Sequence, residues 1–175
     1  MRFTSVMLSV MTLFLVSCVG QPDGVKPVES FELKRYLGTW HEIARLDHSF
    51  ERGLTQVTAE YSLNQDGSVK VINRGFDTDK GQWSEAEGKA KFVAEPDIGF
   101  LKVSFFGPFY GSYIIFELGD EYQYAFVAGP DTDYLWLLAR QATVPNDIIQ
   151  QFERQAKALG FATDQLIYVA QAAKP

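Results

Sequence analysis

The sequence predicts an all-β fold, an eight-stranded antiparallel up-and-down barrel with one C-terminal α-helix. Three observations carry this reading. From Trp40 onward apolar and polar residues alternate with a period of two. Turn-forming pairs interrupt the alternation at short, regular intervals. One segment after Pro145 switches to helical spacing. Such a meander can close on itself, which removes the unpaired edges that invite aggregation.

The first strand surrounds Trp40. In the second, Val57, Ala59, Tyr61 and Leu63 alternate with Gln56, Thr58, Glu60 and Ser62, and Asp66-Gly67 supplies a hairpin turn. The third covers 69–76 and is followed by turn chemistry at 77–81, with Trp83 placed in the loop beyond it. In the fourth, Ala86, Gly88, Ala90 and Phe92 alternate with Glu85, Glu87, Lys89 and Lys91, and residues 96–99 break the run. Residues 100–106, 112–118, 123–128 and 134–139 complete the eight, separated by Gly107-Pro108, Gly119-Asp120 and Gly129-Pro130. The helix begins near Pro145, gathers Ile148, Ile149, Phe152, Ala156 and Leu159 on one face and stops at Gly160. A last strand covers 166–170.

A chain of 175 residues is long enough for one domain with a substantial core. Aromatic residues make up 14%, a composition that suits pleated surfaces. The net charge of −6 and the lack of a basic face argue against a nucleic-acid partner. The apolar run 6–16 is too short to cross a bilayer as a helix and reads, with Arg2 before it, as a signal peptide over 1–17. Residues 18–30, with Gly, Pro and Asp, read as a tether, leaving 31–175 as the folded domain.

Leu15-Val16-Ser17-Cys18 resembles a bacterial lipobox, and Cys18 is the sole cysteine. The resemblance implies acylation of Cys18 and therefore no free thiol for a disulfide. Several acyl chains are needed for stable anchoring, since each buried CH₂ contributes only about 0.8 kcal/mol. Val19 stands where an inner-membrane retention signal would place Asp. By this likeness the destination is the outer membrane, with the barrel facing the periplasm.

Gly38-Thr39-Trp40, the eight strands and the late helix resemble the lipocalins, over residues 31–173. The likeness is greatest to the bacterial outer-membrane lipocalins and apolipoprotein D, and 105–111 and 129–131 are its most specific stretches. It implies that Gly38 and Trp40 form the first family motif, with Trp40 plugging the closed end, and that Arg140 packs across that indole. The second motif matches through Asp120, Tyr124 and Ala125, with Gly119 in place of Thr; Thr132-Asp133-Tyr134 imitates it one turn too late.

Aligned on this likeness, the lumen receives Val57, Ala59 and Tyr61, then Val69, Val71 and Asn73, then Gly88, Ala90 and Phe92. Leu101, Val103, Phe105, Tyr113, Ile115, Ala125, Val127, Trp136 and Leu138 complete the list, and Glu42 adds a polar handle if it faces in. Small residues at Ala59, Gly88, Ala90 and Ala125 leave room beside larger ones. The family implies a lipid ligand (a fatty acid, lysophospholipid or phospholipid) held during envelope maintenance. Two alternatives stand beside this: a ligand-free structural lipoprotein, and a carrier of haem or a pigment. No cofactor is expected. His41 and His48 are seven residues apart and fall on opposite faces of a strand, which argues against a shared metal. No nucleophile has the strand-turn-helix context of a catalytic elbow, so the chain is not expected to be an enzyme. The likeness to the bacterial lipocalins implies a homodimer, with Phe109 and Tyr110 as its expected contacts.

Overall fold

The computed structural model describes residues 19–171; the expected signal peptide over 1–17 and Cys18 lie outside the described residues. Eight strands form the barrel: β1 (Gly38–Arg45), β2 (Leu54–Leu63), β3 (Val69–Asp77), β4 (Gln82–Phe92), β5 (Phe100–Phe106), β6 (Phe109–Leu118), β7 (Tyr124–Ala128) and β8 (Leu135–Ala139). Each pairs antiparallel with the next, and β1 closes the ring. Its Gly38 faces Tyr61 of β2, and its His41 faces Ala139 of β8. A short α1 (Leu33–Tyr36) precedes the barrel. It escapes sequence periodicity because four residues make barely one turn. After the barrel come α2 (Asn146–Ala158) and β9 (Ile167–Tyr168), which pairs with the far end of β1.

The eight-stranded barrel and its single long helix are as the alternation predicts. Gly160 closes α2 with φ +87°, a conformation only glycine adopts without strain. Two local differences have identifiable causes. β2 begins at Leu54 because the register shifts between Thr55 and Thr58, where Gln56 has φ 52°. Trp83 is not in a loop: β4 starts at Gln82, and Trp83 faces Phe76 across the ladder with ring centroids 5.6 Å apart. Residues 82–85 lack inward apolar positions and show no alternation, so pairing with β3 alone extends the strand.

The strand directions define two ends. The closed end carries the start of β1 and the β2–β3, β4–β5 and β6–β7 turns. The open end carries the loops 46–53, 78–81, 107–108 and 129–134. Apolar residues gather in two cores. One fills the bottom of the barrel around Trp40, Tyr36, Phe31 and Tyr122. The other lies outside the barrel, where Phe152 and Ala156 of α2 pack on Ile114, Phe126 and Leu137. β7 serves both, so Ala125 to Ala128 are all fully buried.

Residues 20–30, within the 18–30 stretch whose composition suggests a tether, run down the outside of the barrel and are packed there. Ser112 Oγ donates to the Gly20 carbonyl at the open end. Val25 is buried in the outer core. Val28 N–H donates to Ile115 O at 2.8 Å, and Phe31 N–H to Asp97 O at 2.8 Å, close to the bottom.

Candidate ligand cavity

A cavity of about 500 Å³ opens at the mouth of the barrel. Its wall is mostly aliphatic and aromatic. Val57, Ala59, Tyr61, Val71, Asn73, Ala90, Leu101, Val103, Phe105, Tyr113, Trp136 and Leu138 line it, as expected from the sequence, together with Val69. Gly88, Phe92, Ile115, Ala125 and Val127 do not. Gly88 is covered by Phe105: a Cβ there would stand 2.8 Å from that ring. Phe92 packs near the bottom against Phe31 at 6.2 Å. Ile115, Ala125 and Val127 belong to the packed core around Trp40. The free volume is therefore offset toward β2–β5, while the β6–β7 side is filled.

The floor is an aromatic stack. Trp40 is fully buried and donates its indole N–H to the Tyr36 carbonyl at 2.8 Å. Ala59 lies opposite Trp40 in the β1–β2 ladder and leaves room for the indole. Arg140 covers the other face at 4.0 Å and donates to the carbonyls of Thr39 (2.9 Å) and Arg35 (2.6 Å). Gly38, with φ +94°, starts the strand beneath it. Asp120 lies in the β6–β7 turn, where its carbonyl accepts from Arg35 at 3.2 Å. Tyr124 packs on the outer face against Phe126 at 5.4 Å.

Three phenols meet above the floor. Tyr113 Oη is 2.7 Å from Tyr36 Oη and 2.8 Å from Tyr61 Oη. Burial raises the pKa of all three above the ordinary phenol value, so they stay neutral. Two further wall oxygens, Asn73 Oδ1 and Ser104 Oγ, are buried without a protein partner.

A buried charged cluster ties the 46–53 loop across the mouth. The β1–β8 register shifts between Glu42 and Ala44, and this bulge turns both Glu42 and Arg45 inward. Arg45 Nη1 donates to Glu42 Oε1 at 2.7 Å and Nη2 to the Glu51 carbonyl at 2.8 Å. The Trp136 indole N–H donates to Glu51 Oε2 at 3.1 Å. Arg45 Nε also lies 3.9 Å from Glu51 Oε2, so one guanidinium faces two buried carboxyls. Burial raises the pKa of Glu42 well above the usual range; the charge of Glu51 adds to the rise, and Arg45 opposes it. Burial raises Glu51 as well, against the Trp136 hydrogen bond and Arg45.

His48 lies in the same loop, stacked between Phe50 at 5.2 Å and Tyr134 at 4.8 Å. Burial, then the charge of Arg45, lower its pKa to about 4. His41 is on β1 and is not part of the cavity wall.

Sequence reasoning missed Tyr36, Phe50, Glu51, Leu54 and Tyr134, all of which line the cavity. Tyr36 precedes the first strand, and the others come from loops or a bulged strand start, where no period places a side chain. Glu42 was legible only conditionally, because strict alternation cannot put it and Arg45 on one face. The site as built offers an apolar volume with a few polar groups at its floor and mouth, which suits a hydrophobic ligand whose orientation those groups set.

Comparison with known proteins agrees with this geometry. A family model described as "Lipocalin-like domain" matches residues 31–171. The chain is 57% identical over 168 residues to "Outer membrane lipoprotein Blc" of Vibrio cholerae, covering 95% of this chain and 98% of that protein. It is 48% identical over 174 residues to the protein of the same name from Escherichia coli K12, covering 98% of both. Apolipoprotein D of Rattus norvegicus is 34% identical over 128 residues, covering 69% of this chain and 67% of that protein. Among solved structures, insecticyanin from the tobacco hornworm shares the fold with a TM-score of 0.69, 22% identity and 87% coverage of each chain. The barrel, the Trp40–Arg140 floor and these matches together show that the chain belongs to the lipocalin-like family.

Proposed function

We propose that the chain carries a lipid with a long acyl chain, a fatty acid or a lysophospholipid, and serves envelope maintenance from the outer membrane. It is a binding protein rather than a catalyst. The observation that carries this reading is the cavity wall. Aliphatic side chains from β2, β3, β4, β5 and β8 surround about 500 Å³, and the polar groups among them include the tyrosine cluster, Asn73, Ser104, the Glu42–Glu51 pair, Thr58, Arg74, Ser84 and Ser112. Each CH₂ buried there contributes about 0.8 kcal/mol, so a long acyl chain outweighs the cost of association. A charged head group stays at the open rim, where it keeps its contact with water. Support for the location is the name of the relatives, outer membrane lipoprotein, together with the lipobox at Cys18.

The test uses Trp136, which stands in the cavity wall, whereas Trp40 is sealed under Arg140 and Trp83 is on the outer face. Adding lysophospholipid or a long-chain fatty acid should change tryptophan emission, and Trp136→Phe should remove most of the change. An emission spectrum indifferent to both lipids would overturn the reading.

A further inference from the structure

The mouth of the barrel carries exposed aromatic side chains that no core explains. Phe106 and Phe109 face each other across the β5–β6 turn and are 81% and 80% exposed. Both stand at the rim of the cavity. Phe50 of the 46–53 loop, also on the cavity wall, is 58% exposed. Leaving large aromatic rings in water at one end of a molecule is unfavourable, and such patches mark contact surfaces.

The amino-terminal segment reaches this same end. The Gly20 carbonyl accepts from Ser112, and Gly20 packs so tightly on Pro130 that a Cβ there would stand 2.5 Å from the Pro130 carbonyl oxygen. Ser112 and Pro130 both line the cavity. Cys18 is two residues before Gly20, a reach of at most about 7 Å of extended chain. An acyl anchor on Cys18 therefore joins the molecule at its open end, beside Phe106 and Phe109, and not at the closed end where residues 20–31 finish.

We propose that the Phe106–Phe109 turn dips into the lipid leaflet that holds the Cys18 anchor, so that the cavity opens directly onto the lipid surface. This rests on the acylation and lipid-carrier reading above. Acyl chains provide the affinity, and the aromatic tip sets the orientation, a second contact of the kind stable membrane attachment requires. An acyl chain leaving the leaflet then enters the cavity without crossing water. A second copy of the chain covering the tips would instead seal the mouth from its lipid source.

The experiment uses the acylated chain in vesicles of phosphatidylethanolamine and phosphatidylglycerol. Cys18 is the sole cysteine, so once it is acylated, Phe109→Cys introduces a unique thiol for an environment-sensitive dye. Leu63→Cys, 54% exposed on β2 beside the closed-end turn, is the control. Lipids with brominated acyl chains should quench the dye at 109 several-fold more than the dye at 63. If the chain floats with the vesicles but both dyes are quenched equally or not at all, the orientation is wrong while the anchor stands. Dye-dye quenching at 109 that grows with protein density, without bromolipid quenching, assigns the tip to a second copy and overturns the proposal. A chain that does not float overturns the anchor and, with it, the docking.

Discussion

The guanidinium of Arg140 lies 4.0 Å from the centre of the Trp40 indole, linking the end of β8 to the start of β1 across 100 residues of chain. Its two hydrogen bonds to the carbonyls of Thr39 and Arg35 fix it there. Arg140→Ala should lower stability by about 1–3 kcal/mol, from lost stacking and two carbonyls left without a donor. Arg140→Lys should recover only part, because an ammonium lacks the planar fork. Urea midpoints measure both, and a midpoint equal to the parent's for Arg140→Ala would sink the assignment.

Two alanines that look alike in the sequence should behave differently. Ala90 is on the cavity wall, whereas Ala125 is fully buried in the packed floor. Ala90→Trp should weaken lipid binding with a small change in stability. Ala125→Trp overpacks a closed core and should cost about 1–3 kcal/mol or more. Lipid titration and urea denaturation of both variants separate filled volume from strain.

Arg45→Met leaves Glu42 and Glu51 buried without their cation. Removing one partner of a buried ion pair costs about 3–5 kcal/mol. The double variant Arg45→Met/Glu42→Gln should recover part of the loss, since the more strongly perturbed carboxyl is then neutral. A double variant no more stable than the single one would show that the guanidinium acts through packing alone.

His48 titrates near 4 in the folded state and near 6.5 when unfolded. The native state therefore binds fewer protons between these values, and its contribution to stability is complete above about 6.5 and lost as the pH falls toward 4. Glu42 and Glu51 act in the opposite sense: their raised values make stability fall as the pH rises through them. The difference in unfolding free energy between parent and His48→Gln isolates the histidine. It should shrink as the pH drops from 6.5 to 4, and a flat difference would refute a buried neutral His48.

Cys18→Ser should release the protein from the membrane fraction, because acyl chains are its proposed source of membrane affinity. Cell fractionation decides this: a variant that still pellets with outer membranes refutes the anchor.

Most of the barrel was legible because a half-buried strand writes its orientation as a period of two. For Val57, Val71, Leu101 and Leu138 that rule left two sides to choose from, and the family likeness chose the side that lines the cavity. Residues the rule misplaced depend on facts it does not contain. Parity gives Ala125 and Val127 an inward side but cannot say whether that side holds a cavity or Trp40 and its neighbours. The Glu42–Arg45–Glu51 cluster depends on one bulge and one loop, and neither leaves a pattern in composition. The packed course of residues 20–30 was hidden for the same reason: isolated Val25 and Val28 among Gly, Pro and Asp resemble a free linker until a surface is available to receive them.

The cluster of Tyr36, Tyr61 and Tyr113 has a consequence in simple proton counting. Three hydroxyl hydrogens serve two mutual hydrogen bonds, so one hydrogen is always left over. Rotating hydroxyls moves that surplus between Tyr36 and Tyr61 without displacing a heavy atom, and the spare lone pairs move with it. All three residues line the cavity. Its lower wall is thus ambidextrous. It presents a donor to an ester or carboxyl oxygen and an acceptor to a hydroxyl, and it does so without carrying charge.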